Sequence, residues 1–427
     1  MNLQILKSKV KSQKSKVKIT GSKSETNRLL LLQALFPNLI LENVSNSDDS
    51  EVMQKALTIT HHPSPITQEI DVHHAGTAMR FLTAFFAIQE GKEVVLTGSS
   101  RMKERPIKIL VEALNHLGAE ITYEENQGFP PIRIKGKKIT ENKASLPANV
   151  SSQYISALSL IAPKLENGLE LTLEGEITSV PYIKMTLGLL KEIGIETSFE
   201  NNTIKVYHFP SPMTHHPITI ESDWSSASYW YSIIALSEIG TQITLSSYKR
   251  NSLQGDSVLV AIYKDFGIET TFNHDNSITI SKTNNCQLSI VNYQLNNSPD
   301  IAQTIAVTCF GLGIGCHLTG LHTLKIKETD RLEALKTELT KFGAAISVTN
   351  DSLQLNPHDL FKNENSSLLE GCLRDGVLTY QDHRMAMAFA PLALKVPVVI
   401  KGADVVSKSY PDFWKDLEKV GFTFKRV

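Results

Sequence analysis

Cysteine and long apolar runs are both scarce in this sequence. The four cysteines form no C-x-x-C pair, so we expect reduced, mostly buried thiols at Cys286, Cys309, Cys316 and Cys372. No apolar run approaches the roughly 18 residues of a membrane-spanning helix. The first residues also lack the apolar core of a signal peptide. These absences predict a cytoplasmic protein without a membrane segment.

A dominant charge, a nucleotide-binding loop and metal-ligand spacing are missing as well. Lys plus Arg number 43 and Asp plus Glu number 44, so the charge balance does not indicate nucleic acid or a membrane surface as a partner. No G-x-x-x-x-G-K-[ST] motif is present, and the adjacent histidine pairs lack the spacing of metal ligands. We therefore predict no bound metal and no cofactor.

The sequence does contain a repeat. A helix end, a glycine, alternating apolar residues, a polar turn and another strand recur at intervals of 73 to 78 residues, around Gly118, Gly194, Gly267, Gly343 and Gly421. A glycine after a helix predicts a left-handed C-cap. The alternation that follows predicts a strand with one buried and one solvated face.

Six further segments, such as "RLLLLQALF" and "YWYSIIAL", are apolar on almost every face, which predicts helices buried on all sides. The polar residues that open them are Ser24, Thr77, Ser152, Ser226, Asp300 and His383. The first gap between them is 53 residues and the others are 74 to 83, so the first repeat is shortened. The pattern predicts six repeats in two α/β domains, with helices inside and sheets outside. "GLGIG" at 311–315 predicts close helix packing, not a dinucleotide loop.

Each buried helix is preceded by a polar cluster. Capping explains one residue per cluster, but it does not explain cations at helix N-termini, where the dipole disfavours them: Lys23, Arg28, Arg80 and Arg384. Cations beside exposed N–H groups predict sites for ligands with several phosphate or carboxylate groups. "SSRMKERP" leaves two interpretations open, a solvated loop or an anion clamp.

The stretch "KIKETDRLEAL" at 326–336 raises the same question. Thr329 or Asp330 is expected to cap a helix, with Glu333 at capping-box spacing. Capping does not account for Lys327, Glu328 and Arg331. The stretch is therefore either an ordinary charged helix start or a place where protons are moved.

In chain order, "GSKSETNR", "AGTAMR", "RMKERP", "SSQ", "RNSLQGD", "KETDR", "DHRMAM" and "SKSYPDFW" resemble the motifs of the 5-enolpyruvylshikimate-3-phosphate (EPSP) synthase family. The resemblance covers nearly the whole chain. It implies an α/β fold of two inside-out (inverse barrel or prism) domains with three βαβαββ-like repeats each. The expected domains are 21–222 and 1–20 plus 223–427. We expect them to close on the substrates, because cations from both must meet the same anions.

The resemblance also implies the reaction. Phosphoenolpyruvate donates its enolpyruvyl group to the 5-hydroxyl of shikimate 3-phosphate, and phosphate leaves through a tetrahedral intermediate. The same carbon gains and then loses a proton, so the site needs proton carriers and strong anion stabilisation. A monomer acting on small molecules is expected, in aromatic amino acid biosynthesis, with glyphosate as an inhibitor.

Site residues follow from the matching motifs. The resemblance implies three catalytic residues, Asp300, Glu328 and Lys23. It implies a shikimate 3-phosphate site of Lys23, Ser24, Arg28, Ser151, Ser152, Gln153, Ser179, Asp300, Thr323 and Lys327. It implies a phosphoenolpyruvate site of Lys23, Gly76, Arg105, Gln153, Arg331, His383, Arg384 and Lys408.

Some positions depart from the family pattern. Where the family commonly has Asn, Asn, Gly and Pro, this sequence has His74, Thr323, Ser222 and Phe81, and a bulky Trp224 follows Ser222. None of these changes removes a charged catalytic group. They bear on local contacts and on the response to inhibitors.

Two alternative functions share part of this pattern. UDP-N-acetylglucosamine enolpyruvyl transferase shares the fold and the donor, but it usually has a cysteine in the loop that matches "TGSSRMKERP", where this sequence has none. A non-catalytic anion-binding paralogue would be expected to lose Glu328, Asp300 or Lys23, and all three are present.

Overall fold

The computed structural model describes residues 1–10, 15–58, 67–149, 151–175, 177, 180–210, 216–361 and 375–427. Its α-helices, in chain order from α1 to α13, are Lys23–Leu35, Asp48–Thr58, Gly76–Ala87, Ser100–Lys103, Lys108–His116, Ser152–Ile161, Val180–Glu192, Trp224–Leu236, Leu259–Ile262, Ala302–Leu312, Arg331–Lys341, His383–Phe389 and Phe413–Lys419. Short 3-10 helices lie at Ala162–Lys164, Gly255–Val258, Pro299–Ile301, His322–Ile326, Ala390–Leu394 and Ala403–Lys408.

The strands, from β1 to β22, are Asn2–Ile5, Ser15–Val17, Leu41–Glu42, Gln68–Asp71, Glu93–Thr97, Glu120–Tyr123, Ile132–Lys135, Lys143–Pro147, Leu169–Glu174, Thr197–Glu200, Thr203–Val206, Ile218–Thr219, Gln242–Leu245, Ile268–Phe272, Ile278–Lys282, Ile290–Gln294, Gly315–Thr319, Ile346–Val348, Ser352–Leu355, Val377–Leu378, Val398–Lys401 and Phe424–Arg426.

The described chain divides into two compact units. The first unit is Gly21–Ile220, and the second unit is Met1–Thr20 together with Glu221–Val427. The first unit has two four-stranded sheets, β4-β5-β7-β6 and β10-β11-β9-β8, and the two-stranded sheet β12-β3. The second unit has three four-stranded sheets, β20-β21-β1-β22, β14-β15-β13-β2 and β16-β17-β19-β18.

All five four-stranded sheets share one pairing pattern. Each contains one parallel pair and two antiparallel pairs in the same order across the sheet. The two-stranded sheet has only the parallel pair. The repeat predicted from the sequence is therefore present, and its first copy is the reduced one.

Helices that are buried on all sides form the centre of each unit. In the first unit they are α1, α3 and α6, and in the second unit α8, α10 and α12. The strands alternate between buried and exposed residues, as in Leu169–Glu174, because successive side chains point to opposite faces of a sheet. One face of each sheet covers the helices and the other is solvated.

The repeat glycines have the predicted conformation. Gly118, Gly194, Gly267, Gly343 and Gly421 all have φ between 78° and 115°, the left-handed region that glycine enters without steric cost. The prediction for "GLGIG" is right for Gly311 alone, where an added Cβ would come within 2.7 Å of Leu236. Gly313 instead ends α10 with φ of 76°, and Gly315 begins β17.

Candidate active site

The stretch "KIKETDRLEAL" contains the start of helix α11. Asp330 is its N-cap, since the carboxylate accepts hydrogen bonds from the Leu332 and Glu333 amides at 3.1 and 3.2 Å. The first helical residue is Arg331. Its side chain is directed into the unit and is only 2% exposed.

Arg331 binds three carboxylates at once. Its Nε donates to Asp382 at 2.6 Å, Nη1 to Asp300 at 2.8 Å and Nη2 to Glu328 at 2.7 Å. Burial alone would lower the pKa of the Arg331 guanidinium, but the Asp382, Glu328 and Asp300 charges raise it above its ordinary value. Arg331 therefore stays charged and fixes three acids around one buried cation.

Asp300 is shared among cations in turn. It lies in the 3-10 turn that leads into α10. Besides Arg331, it has Arg384 Nη2 at 3.4 Å and Lys327 Nζ at 3.6 Å. The structure thus brings together Asp300, Lys327, Arg331 and Arg384, which come from three separate segments of the sequence.

Glu328 is the more open acid of this cluster. Its side chain is 37% exposed, against 10% for Asp300 and none for Asp382. Glu328 is therefore the acid of this cluster that is most accessible to solvent.

The Arg384 guanidinium contacts residues outside its own helix. It donates to the Asp300 carbonyl at 3.2 Å and to Ser225 Oγ at 3.3 Å. Asp382 caps α12 by accepting from the Arg384 amide at 2.8 Å. A cation is tolerated at this helix N-terminus because the acids Asp300 and Asp382 lie beside it.

Two further predicted residues lie next to this cap. His383 is 3% exposed at the start of α12. Lys408 Nζ donates to the Gln381 carbonyl at 2.9 Å, immediately before Asp382 in the chain. Thr323 is different, because its Oγ1 is buried without a hydrogen-bond partner among the described residues.

The acid that ends "RNSLQGD" has no role predicted from the sequence. Asp256 accepts a short hydrogen bond from Ser225 Oγ, the same oxygen that Arg384 contacts. Burial, followed by the nearby Asp300 charge, raises the pKa of Asp256 to about 7. Asp256 is therefore an additional titratable acid beside the cluster.

The rest of that motif fits the departures at Ser222 and Trp224. The Trp224 indole is fully buried and donates to Glu221 at 2.7 Å, and Ser252 donates to the other oxygen of Glu221 at 2.6 Å. Gln254 accepts from the Trp224 amide and donates to the Ser222 carbonyl. The bulky residue is thus accommodated with its polar atoms bonded.

In the first unit, Lys23 opens α1 and pairs with Asp49 at 3.3 Å. Both side chains remain partly exposed, at 22% and 15%. Asp49 has no role predicted from the sequence; it lies in the acidic first turn of α2. Its proximity to Lys23 is a tertiary contact.

Arg28 joins several buried helices of the first unit. It donates to Thr186 at 2.8 Å, to Ser156 at 3.0 Å and to the Ser24 carbonyl at 2.7 Å. Its guanidinium lies 5.4 Å from the ring centre of Phe81, so this departure from the family pattern provides a cation–π contact. Burial lowers the pKa of Arg28 to about 10.

Gly76 lies against Arg105. A Cβ at Gly76 would come within 2.9 Å of the Arg105 guanidinium carbon. Arg80 is buried behind them and donates to the carbonyls of Gly76 and Pro106, each at 3.1 Å. Burial, reinforced by the nearby Arg105, lowers the pKa of Arg80 to about 10.

The structure separates the cations of "SSRMKERP". Arg101 pairs with Glu104 and Lys103 with Glu125, both at 2.7 Å on the surface. Arg105 alone of the three lies at Gly76. The interpretation as a solvated loop therefore holds for Arg101 and Lys103.

The "SSQ" motif forms the N-terminus of α6. Ser151 caps the helix by accepting from the Gln153 amide at 3.3 Å, and Ser152 is 8% exposed in the first turn. Gln153 Nε2 donates to Thr77 Oγ1 at 3.1 Å, which links α6 to α3 beside Gly76. Ser179, also assigned to this site, lies outside the described residues.

Within the described ranges, no helix is long and apolar enough to cross a membrane. Over the same residues there is no grouping of three or more His, Cys, Asp or Glu side chains that could hold a metal ion.

Comparison with known proteins identifies the family. The model of "EPSP synthase (3-phosphoshikimate 1-carboxyvinyltransferase)" matches residues 36–417. The chain belongs to the EPSP synthase family. It is 44% identical to the 3-phosphoshikimate 1-carboxyvinyltransferase of Bacteroides fragilis (strain YCH46), over 96% of both chains. It is 33% identical to the Haemophilus influenzae (strain Rd) enzyme of that name, over 95% of this chain and 96% of the other.

The family's solved structures agree with the fold. Two structures of EPSP synthase from Acinetobacter baumannii align over the whole of both chains, with TM-scores of 0.77 and 0.78 at 19% identity. The predicted fold class, an inside-out α/β architecture of many small sheets and helices, is confirmed.

Proposed function

We propose that this chain transfers the enolpyruvyl group of phosphoenolpyruvate to the 5-hydroxyl of shikimate 3-phosphate and releases phosphate. The observation that carries the proposal is the placement of Asp300 and Glu328 on the two Nη atoms of Arg331. A proton acceptor for a hydroxyl and a proton carrier for a carbon are thereby fixed beside one anion-binding cation, as addition–elimination requires. Membership of the family supports the same reaction.

The proton transfers of the addition and the elimination step can each be assigned to a residue. Asp300 takes the proton of the 5-hydroxyl as its oxygen attacks C2 of phosphoenolpyruvate, and protonated Glu328 gives its proton to C3. In the second step Glu328 takes a proton back from C3 while the bond from C2 to the phosphate oxygen breaks, and the proton held by Asp300 passes to the departing phosphate. The anion of phosphoenolpyruvate competes with Glu328 for Arg331, which frees Glu328 to carry the proton.

The binding roles are assigned by motif. Lys23, Gly76, Arg105, Gln153, Arg331, His383, Arg384 and Lys408 bind phosphoenolpyruvate in this proposal. Lys23, Ser24, Arg28, Ser151, Ser152, Gln153, Ser179, Asp300, Thr323 and Lys327 bind shikimate 3-phosphate. Lys23 stabilises developing negative charge and is the third catalytic residue.

We also propose that the first and second units act as the two enolpyruvyl transferase domains. The monomeric state, the cytoplasmic location and the domain closure predicted from the sequence are proposals too. A mass above 47.3 kDa in sedimentation at assay concentration would contradict the monomeric state.

The deciding experiment is a phosphate-release assay with purified protein and both substrates. Phosphate should appear only when phosphoenolpyruvate and shikimate 3-phosphate are present together. UDP-N-acetylglucosamine serves as the control acceptor, and turnover with it alone would favour the sister activity. Absence of turnover with either acceptor would favour the non-catalytic paralogue.

A further inference from the structure

Two consecutive residues before helix α12 have an unusual backbone conformation. Tyr380 and Gln381 have φ of 53° and 58°, in the left-handed region that residues with a side chain rarely enter. Among the described non-glycine residues, one other adjacent pair does so, Asn201 and Asn202. Those asparagines form the two-residue turn between β10 and β11, where this conformation is normal. Tyr380 and Gln381 do not form a hairpin turn, and neither is an asparagine. Their left-handed conformation therefore has another cause.

The next residue in the chain is Asp382, which fixes Arg331. Asp382 is fully buried, caps α12 and binds Arg331 Nε at 2.6 Å. Because φ and ψ at residues 380 and 381 set the direction in which the chain enters α12, a change there would displace Asp382. Arg331 would then lose one of its three carboxylates.

Bonds from helix α11 restrain this turn. Tyr380 OH donates to Glu338 Oε1 at 2.6 Å, and Glu338 is fully buried. Glu338 Oε2 accepts from the Leu378 amide at 3.2 Å and from Lys341 Nζ at 2.6 Å. The same helix therefore contacts the segment 378–382 twice, at its first residue through Arg331 and two turns later through Glu338.

The turn is bonded on its other side as well. The Asp382 amide donates to the Thr379 carbonyl at 2.8 Å, and Lys408 donates to the Gln381 carbonyl at 2.9 Å. Strained backbone persists only where surrounding bonds over-determine it, and it concentrates at functional sites. Each residue of this turn has such a bond.

We infer that Tyr380 is a positioning residue for the phosphoenolpyruvate site. Its bond to Glu338 keeps residues 380 and 381 left-handed, which aligns Asp382 and, through Asp382, the guanidinium of Arg331. The inference rests on the proposed function where it is tested by KM values. Its test by the crystal structure of a variant does not depend on that function.

The test is Tyr380→Phe in the full chain, which removes one oxygen and leaves Glu338 with its bonds to Leu378 and Lys341. KM for phosphoenolpyruvate should rise about tenfold while KM for shikimate 3-phosphate changes less than about twofold, because the misplaced groups bind the first substrate. Tyr293→Phe is the matched control. It also removes a tyrosine–carboxylate bond in the second unit, to Asp265 at 2.7 Å, and should leave both constants unchanged.

A rescue variant separates positioning from general destabilisation. Glycine enters the left-handed region without cost, so Tyr380→Phe with Gln381→Gly should recover much of the lost affinity for phosphoenolpyruvate. Gln381→Val, whose branched side chain disfavours this conformation, should reproduce the loss. The inference would be overturned if the variants lost affinity equally for both substrates, in proportion to their fall in melting temperature, and if Gln381→Gly restored none of it.

Failure of the proposed function is recognised separately. If the unaltered protein turns over neither acceptor, the proposed reaction is wrong, and the inference is then decided by the crystal structure of Tyr380→Phe. Loss of the bond between Asp382 and Arg331 supports it. An unchanged turn and an unchanged bond contradict it, as would wild-type kinetics for Tyr380→Phe in an active protein.

Discussion

Glu328 Oε2 lies 2.7 Å from Nη2 of Arg331, which joins the most open acid of the cluster to its most buried cation. The acid and the cation form an ion pair. Any anion that binds Arg331 must compete with Glu328, so ligand binding and the availability of this acid are coupled.

Replacement of Glu328 by Gln tests its role as proton carrier. The amide keeps a hydrogen-bond acceptor for Arg331 but does not carry a proton at neutral pH. We expect KM values within a few-fold of wild type and a fall in kcat of ~10²–10⁴-fold, the range for loss of a general acid–base group. Near-normal turnover in the phosphate-release assay would remove Glu328 from proton transfer. Glu333→Gln, on the solvent side of the same helix, is the control.

Gly76→Ala tests the contact with Arg105. The added Cβ overlaps the end of a flexible side chain, not backbone, so Arg105 moves and the fold tolerates the change. We expect KM for phosphoenolpyruvate to rise about tenfold and KM for shikimate 3-phosphate to stay unchanged. In the wild type we expect glyphosate to compete with phosphoenolpyruvate, and in the variant to bind more weakly. Full inhibition of both proteins at the same concentration would place the inhibitor away from Gly76.

Asp256→Asn tests the acid beside Ser225. Its pKa of about 7 in the folded chain lies above the ordinary 3.8, so the folded state binds the proton more tightly than the unfolded state. Asp256 faces Asp300, Asp223 and Arg384. The unfolded chain loses this proton near pH 3.8 and the folded chain only near pH 7, so stability falls as pH rises from about 4 to about 7 and changes little above that. The melting temperature of the variant relative to wild type should therefore increase from pH 5 to pH 8.

The control for that experiment is Asp275→Asn. Bonds from Ser277 lower the pKa of this exposed carboxyl, so it is ionised in both states between pH 5 and pH 8. The difference from wild type should be constant over that range for Asp275→Asn. A constant difference for Asp256→Asn as well would contradict the raised pKa.

Lys282→Met tests a buried amine that has no assigned role in the site. Lys282 is 2% exposed and donates to the Ala235 and Phe266 carbonyls, both at 2.9 Å. Burial lowers its pKa from 10.5 to about 8. Burial of the charged amine lowers the stability of the folded chain at every pH below about 8. This destabilisation decreases as pH rises to about 10.5, where the unfolded chain also loses the proton.

The melting temperature of wild type minus that of Lys282→Met should consequently grow by a few degrees between pH 7 and pH 10. Lys16→Met, an exposed change in the same sheet, should show no such trend. A flat difference for Lys282 would show that its ammonium is not penalised by burial.

Local periodicity was sufficient to predict the repeats. Helices apolar on every side and strands alternating after Gly118 or Gly343 report burial directly, because side-chain period follows secondary structure. The N-cap at Asp330 was also readable, since capping depends on residues within one turn. The charged groups that capping did not explain, such as Glu328 and Arg331, pointed to the site.

The tertiary structure alone decided which charges meet. Asp382 and Asp256 lie 82 and 44 residues from Asp300 in the sequence, and no local pattern places either beside its partner. The strained turn at Tyr380 was equally hidden, because its conformation is stabilised by Glu338 from another helix. Sequence determined the elements through short-range sterics and hydrophobic pattern, whereas the ion pairs and the backbone strain depend on contacts that exist only once the elements are packed.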